Sequence, residues 1–434
     1  MKFRVEHDAL ADAVAWVARA LPSRPVVPVL SGLRLDAAEE LTLSCFDYEL
    51  SAVTRLPADI AEPGTALVPG RLLAEITRSL PGEPAEFASS GDEVTLTCGS
   101  AEFALVSLPT AEYPELPPAP PLAGTVDGGE LAAAVAQVFP ATSRDDTLPM
   151  LTGVCLDIDG DVITLAATDR YRLAVRDLPW APASPGIRAM ALVPGRTLAD
   201  AARVMAPGVP VSLSFAAPAG EAGRGDARPV EGMISFDSGG RRLTGRLIAG
   251  EFIRYEARFP ATFGCTAEMP AASLIEAVRR VSLVADRASP IRLTFGSGTV
   301  AIEAQTEGRA RAMEKVTASF RGDEPAIAFN PHYLLDGITA AAAAVKPARH
   351  PAHDDQGDPA GPDRESTPGS ATIRLQFTSP ARPALITPAS DDGGDDDGDD
   401  GDDGGQDTGD SGAEGRARPA FRYLVVPLRS PVRG

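Results

Sequence analysis

The sequence predicts an α+β protein made of three tandem copies of one module. Two repeated blocks and a recurring helix pattern carry that prediction. Pro28-Val29-Leu30-Ser31-Gly32-Leu33-Arg34-Leu35-Asp36 returns 121 residues later as Pro149-Met150-Leu151-Thr152-Gly153-Val154-Cys155-Leu156-Asp157. Ala66-Leu67-Val68-Pro69-Gly70-Arg71 returns 125 residues later as Ala191-Leu192-Val193-Pro194-Gly195-Arg196. Separate blocks that keep their order and spacing mark duplication of a whole domain. A fainter third copy sets Val300-Ala301-Ile302-Glu303 against Ile163-Thr164-Leu165-Ala166, and Ile327 to Pro331 against Arg188 to Pro194, at an offset of 137. Three modules suit 434 residues, since a domain averages about 150.

Each module reads as two helices flanked by strands. In the first, Leu10, Val14, Val17 and Leu21 recur at helical spacing, and Leu41 to Ser44 and Val94 to Thr97 alternate as half-buried strands do. A second helix follows Val68-Pro69-Gly70, with Leu72, Leu73, Ile76 and Leu80 as its apolar positions and Pro81-Gly82 as its stop. The pattern recurs with Leu131, Val135 and Val138, then Leu198, Ala202 and Met205, and finally Leu274, Val278 and Val281 followed by Leu334 and Ile338. The expected domains are residues 1–121, 122–260 and 261–434. Tyr113 to Pro121 forms a stiff proline-rich connector, and Arg258-Phe259-Pro260 marks the second boundary. Ala216 to Pro229, Arg349 to Ser370 and Ser390 to Pro419 interrupt the pattern. They read as disordered insertions, too poor in apolar residues to order themselves.

Charge and motifs narrow the function. The net charge is −20, but eleven aspartates lie between Asp391 and Asp410, so the rest carries −9. That argues against nonspecific coating of nucleic acid without excluding a locally basic channel. The aspartate tract reads as a solvated spacer, with repulsion or imitation of DNA as its rival. The first residues break into charge at once and no apolar run spans a bilayer, so a cytoplasmic protein without membrane partners is expected. Cys45, Cys98, Cys155 and Cys265 are scattered singly and read as reduced core residues. Nothing calls for a cofactor or metal: there is no phosphate loop, no His-Glu-x-x-His, and no calcium loop in the aspartate tract. Asp237-Ser238-Gly239-Gly240 matches a serine nucleophile segment, but of the four histidines only His7 precedes it, so catalysis is not expected.

Arginine is duplicated together with the helices. Arg71 and Arg78 lie two turns apart on one helix face, and the 125-residue offset repeats them as Arg196 and Arg203. Such a set suits phosphate contacts that hold a nucleic-acid backbone without reading its bases. The third module carries Tyr333 and Ala340 at the matching positions, with Arg279 and Arg280 on its first helix as substitutes.

Several longer segments carry a resemblance. Met1-Lys2-Phe3, Arg24-Pro25, Ala167-Thr168-Asp169-Arg170-Tyr171-Arg172-Leu173-Ala174-Val175, Gly250-Glu251-Phe252-Ile253-Arg254-Tyr255 and Tyr423 to Arg429 stand in the order found in bacterial sliding clamps. The chain resembles the DNA polymerase III beta subunit family over its whole length apart from the insertions.

That resemblance implies three clamp-fold domains per subunit and a ring formed by a head-to-tail homodimer around duplex DNA, without an active site. It implies DNA contacts at Arg24, Arg71, Arg78, Arg196 and Arg203. It places Phe103 and Leu105 at one side of the dimer joint and Leu283 at the other, with Ser282 where the family often has an apolar residue. A peptide groove for the polymerase III catalytic subunit, the clamp loader, other polymerases and repair proteins would use Leu151, Thr168, Arg170, Tyr171, Arg172, Leu173, Ile253, Val425, Val426, Pro427, Leu428 and Arg429. Arg170 and Ile253 depart from the small residue and proline common there. With the insertions, they lean towards an accessory copy rather than the main replicative clamp. The tail after Arg429 is expected near the groove mouth. The alternative reading is a noncatalytic acidic interaction protein, derived from a clamp that no longer encircles DNA.

Overall fold

The computed structural model describes residues 1–203, 205–216, 228–230, 232–285, 289–296, 298–306, 308–322, 326–345, 371–389 and 419–428. Nearly all of the three expected insertions, and the tail from Arg429, lie outside these residues.

Seven helices occur among the described residues: α1 (His7–Ala18), α2 (Gly70–Ser79), α3 (Gly128–Val138), the short α4 (Pro149–Thr152), α5 (Gly195–Ala202), α6 (Ala271–Ser282) and α7 (Pro331–Ala344). Helix α1 packs on α2, α3 on α5, and α6 on α7, so each third of the chain holds one helix pair, as the periodicity predicts. The apolar stripes drive the pairing: Leu10, Val14 and Val17 of α1, Leu131, Val135 and Val138 of α3, and Leu274, Val278 and Val281 of α6 are buried. Leu72 departs from the sequence reading, being 46% exposed. The buried face of α2 is carried instead by Leu73, Ala74, Ile76 and Thr77, and Leu72 falls at the edge of that stripe. Asp127 caps α3 by accepting from the Glu130 amide at 2.9 Å, and Asn330 caps α7 through the His332 and Tyr333 amides.

The repeat reappears as register. Strand Gly32–Ala37 pairs with Gly64–Pro69 so that Gly32 faces Pro69, and Gly153–Asp159 pairs with Arg188–Pro194 so that Gly153 faces Pro194. In the last third Ile291 faces Phe329. Against the Cys155 and Leu192 pair these positions are displaced by 136 and 137 residues. The glycine that opens α2 and the one that opens α5 allow each helix to approach its sheet closely. A Cβ on Gly70 would lie 2.9 Å from Leu33 Cβ, and one on Gly195 would lie 2.9 Å from the Thr152 carbonyl.

The chain divides into two compact units, Met1–Leu165 with Leu178–Phe252, and Ala166–Asp177 with Ile253–Gly434. The first holds a five-stranded sheet whose outer strand is Ala101–Val106 and a nine-stranded sheet. The larger sheet runs across the two repeated modules because Leu50–Leu56 pairs antiparallel with Arg241–Arg246. In the second unit Arg172 to Arg176 pairs in the same way with Phe421 to Val425, and a separate four-stranded sheet has Ala310–Thr317 as its outer strand. Both joints follow the same turn. Asp47 accepts from the Glu49 and Leu50 amides and leaves Tyr48 at φ 75°; Asp169 accepts from the Tyr171 and Arg172 amides and leaves Arg170 at φ 79°. Beyond each turn, the Arg246 amide bonds the Glu49 carbonyl and the Val426 amide bonds the Tyr171 carbonyl.

Tyr113, the first residue of the expected connector, is a buried anchor as well. Its hydroxyl accepts from the Phe46 amide at 2.7 Å and donates to the Gly32 carbonyl at 3.4 Å. All four cysteines are free and buried, as read from their isolation. No helix among the described residues is long and apolar enough to cross a membrane.

Candidate functional site

The five arginines expected to face DNA all belong to the first unit, and all are exposed. They are not equivalent. Arg71 donates to the Leu21 and Pro22 carbonyls at 3.1 and 3.3 Å, so it ties the start of α2 to the loop that carries Arg24. Arg203 pairs with Asp200 at 2.9 Å. Arg24, Arg78 and Arg196 have no carboxylate partner among the described residues and keep their guanidinium groups available to an outside anion. Of the substitutes in the third module, Arg280 is engaged by Glu314 at 2.7 Å and Glu276 at 3.3 Å.

A second cluster forms around the Ala166–Asp177 hairpin of the other unit. Thr168 donates its hydroxyl to the Arg172 carbonyl at 2.6 Å and accepts from the Arg170 amide at 3.2 Å. Asp169 also receives Arg172 Nε at 3.0 Å, and the other arm of Arg172 reaches Asp336 of α7. The guanidinium carbon lies 4.5 Å from the centre of the Tyr333 ring, and Tyr171 stacks on the far partner of that contact at 6.2 Å between centroids. Burial opposes the charge of Arg172, but Tyr423, Asp336 and Asp169 more than offset it, so its pKa is raised. The Tyr423 hydroxyl donates to the Tyr333 carbonyl at 2.8 Å, and burial pushes its own pKa up. Gly337 makes room for it, since a Cβ there would meet the Tyr423 ring at 2.5 Å.

The cluster is a rigid polar floor under exposed apolar side chains. Tyr171, Val426 and Leu428 are exposed, while Leu173 and Val425 are buried in the sheet. The segment is pinned at both ends: Val426 N donates to Tyr171 O and Leu428 N donates to Ala328 O. Pro427 is half-buried between them and Ile253 is exposed. Leu151 belongs to the first unit, half-buried in α4 beside the exposed Met150. Arg429 lies outside the described residues. Sequence reading missed Asp336 and Tyr333 as partners of Arg172, since nothing in spacing links positions more than 160 residues apart.

Of the residues expected at a dimer joint, Phe103 and Leu105 occupy an outer strand. Phe103 is half-buried on Ala101–Val106, and Val106 is exposed. Leu105 is only 2% exposed, so its side chain is already covered by its own chain. Leu283 follows α6 and is 84% exposed, and the Ser282 hydroxyl donates back to the Val278 carbonyl at 2.5 Å. Ser238 offers no nucleophile geometry: it is buried and donates to the Pro210 carbonyl at 3.4 Å, while His7 is held by Asp8 and the Thr77 carbonyl.

Comparison with known proteins follows the same three-part division. The N-terminal, central and C-terminal domain models of the DNA polymerase III beta subunit match residues 1–117, 125–253 and 257–345. The beta sliding clamp of Streptomyces coelicolor is 43% identical over 432 residues, covering 99% of both chains. The crystal structure of the Bacillus subtilis sliding clamp superposes with a TM-score of 0.79 at 21% identity, over 99% of this chain and all of that one. A Pseudomonas aeruginosa sliding clamp bound to griselimycin gives 0.78 at 23% identity, over 99% and 100%. Three consecutive clamp modules on one chain, two of them sharing register and turn geometry, define a polymerase sliding clamp. The chain belongs to the DNA polymerase III beta subunit family, the beta sliding clamps.

Proposed function

We propose that this chain encircles duplex DNA as a head-to-tail homodimer and tethers DNA polymerase and other replication and repair proteins in the cytoplasm. The observation that carries it is the repeated joint. Within the chain, the strand after the first Asp turn pairs with the last strand of the second module, and the strand after the second Asp turn pairs with the last strand of the third. By the same rule Ala310–Thr317 lacks its counterpart among the described residues, and Ala101–Val106, the last strand of the first module, is placed to supply it from another copy. A surface that meets an unlike surface on the next copy must close into a ring or run on as a filament. Family membership favours closure, with Phe103 and Leu283 at the seam and domains near 1–121, 122–260 and 261–434.

Grip then comes from topology, and exposed Arg24, Arg78 and Arg196 supply weak, sequence-blind phosphate contacts that permit sliding. No step of chemistry is assigned to the chain. Partner peptides dock on the apolar surface over the Arg172 floor, together with Ile253. The griselimycin-bound relative supports a ligand-binding surface on this fold. The experiment is loading onto nicked circular DNA followed by linearisation. A threaded ring stays on the circle and runs off the cut ends. Equal retention on both, or none on either, supports instead an acidic interaction protein that does not encircle DNA.

A further inference from the structure

We propose that Arg170 is a specificity residue that makes the partner surface prefer peptides carrying a carboxylate beside their apolar anchor. The inference rests on the groove reading above and adds the charge of the occupant. The Asp169 turn holds residue 170 at φ 79°, a left-handed backbone that sends its side chain out of the hairpin. The matching turn of the first module exports Tyr48 in the same way, also at positive φ and also exposed. In the second module the exported group is a cation next to exposed Tyr171, whose carbonyl holds Val426.

The local charges leave Arg170 available. Arg172 is matched by both Asp169 and Asp336, so the carboxylates nearest in the hairpin and in α7 are already committed to a different guanidinium. Among the described residues no carboxylate pairs with Arg170. Tyr171 and Val426 offer an apolar side chain its anchor, and Arg170, adjacent in sequence to Tyr171, offers the flanking residue a counter-charge. A peptide acidic at that flank is therefore favoured, and a basic one meets a like charge. Because Arg170 is exposed, the preference is modest and falls with salt.

The test uses the full chain and peptides that share a leucine and phenylalanine anchor, with Asp, Asn or Lys walked through the flanking positions. At one position Asp is expected to bind about three- to fivefold tighter than Asn, as an exposed ion pair allows, with Lys weaker than both. Arg170→Gly should bring Asp and Asn level while leaving the melting temperature unchanged or higher, since glycine relieves the left-handed backbone. Arg170→Lys should retain part of the preference. Peptide binding with the same Asp-to-Asn ratio in Arg170→Gly overturns this inference and leaves the groove intact. Failure of every peptide to bind overturns the groove reading and this one with it.

Discussion

The Arg172 guanidinium lies 4.5 Å from the centre of the Tyr333 ring, although 161 residues separate the two in sequence. It is also held by Asp169 and Asp336, with only 10% of its side chain exposed. Removing it leaves two carboxylates facing each other across a half-buried gap. Arg172→Ala is expected to cost about 2–3 kcal/mol, below the 3–5 of a fully buried pair because Asp336 is partly solvated. Calorimetric melting checks this, and an unchanged transition would refute the account of the floor. Arg172→Lys should recover little, since an ammonium cannot serve both carboxylates and the ring at once.

The arginines proposed to face DNA should separate by type. Arg78→Ala with Arg196→Ala is expected to reduce the salt dependence of DNA retention by about 0.9 log units per log unit of salt for each lost phosphate contact. Arg71→Ala should act differently, because its guanidinium is bonded to Leu21 and Pro22. It should make the Arg24 loop more sensitive to limited proteolysis. Equal salt slopes for all three single variants would show that the structural distinction has no bearing on DNA.

The helix-opening glycines set a steric prediction. Gly70→Ala puts a methyl 2.5 Å from Leu21 Cδ1 and 2.9 Å from Leu33 Cβ, and Gly195→Ala puts one 2.9 Å from a backbone oxygen. Each should destabilise by about 1–3 kcal/mol, despite alanine's better helix propensity. Chemical denaturation of both variants measures it, and a stabilised Gly195→Ala would contradict the close approach.

Thiol chemistry should be silent in the native protein. All four cysteines are buried, and burial raises Cys45 from 9.0 to about 12. The unfolded chain releases that proton near its ordinary value while the folded chain keeps it. The contribution of Cys45 to stability is therefore complete below pH 9 and is lost as pH rises from there towards 12. Ellman titration should find no thiol in native protein at pH 8 and four after denaturation.

Solution mass checks assembly. Light scattering should give about twice 45.1 kDa, and a charge placed on the outer strand, Ala104→Asp, should shift it towards the single chain. A mass that stays at one chain at micromolar concentration would remove the closed dimer.

Much of the fold was legible because duplicated blocks keep their register. Gly32 and Pro69 face each other just as Gly153 and Pro194 do, and the offsets of 121 and 125 residues locate both pairs before any coordinates. Helix periodicity located the buried stripes, failing at Leu72, which lies at the edge of the stripe formed by Leu73, Ala74, Ile76 and Thr77. The site was less legible. Thr168 to Leu173 stood out as a segment, but its floor is completed by Tyr333 and Asp336, which carry no local pattern linking them to the hairpin. Distinctions among the arginines depend on carbonyls exposed by chain bends, and composition says nothing about those.

The two strand joints inside the chain are covalently tethered, so their pairing persists at any dilution. The third seam of the proposed ring, made of the same kind of strands but drawn from separate molecules, is subject to mass action. Lowering the subunit supply would therefore act on that seam alone, and a cell could meter the number of closed rings by expression level without touching the stability of a single module.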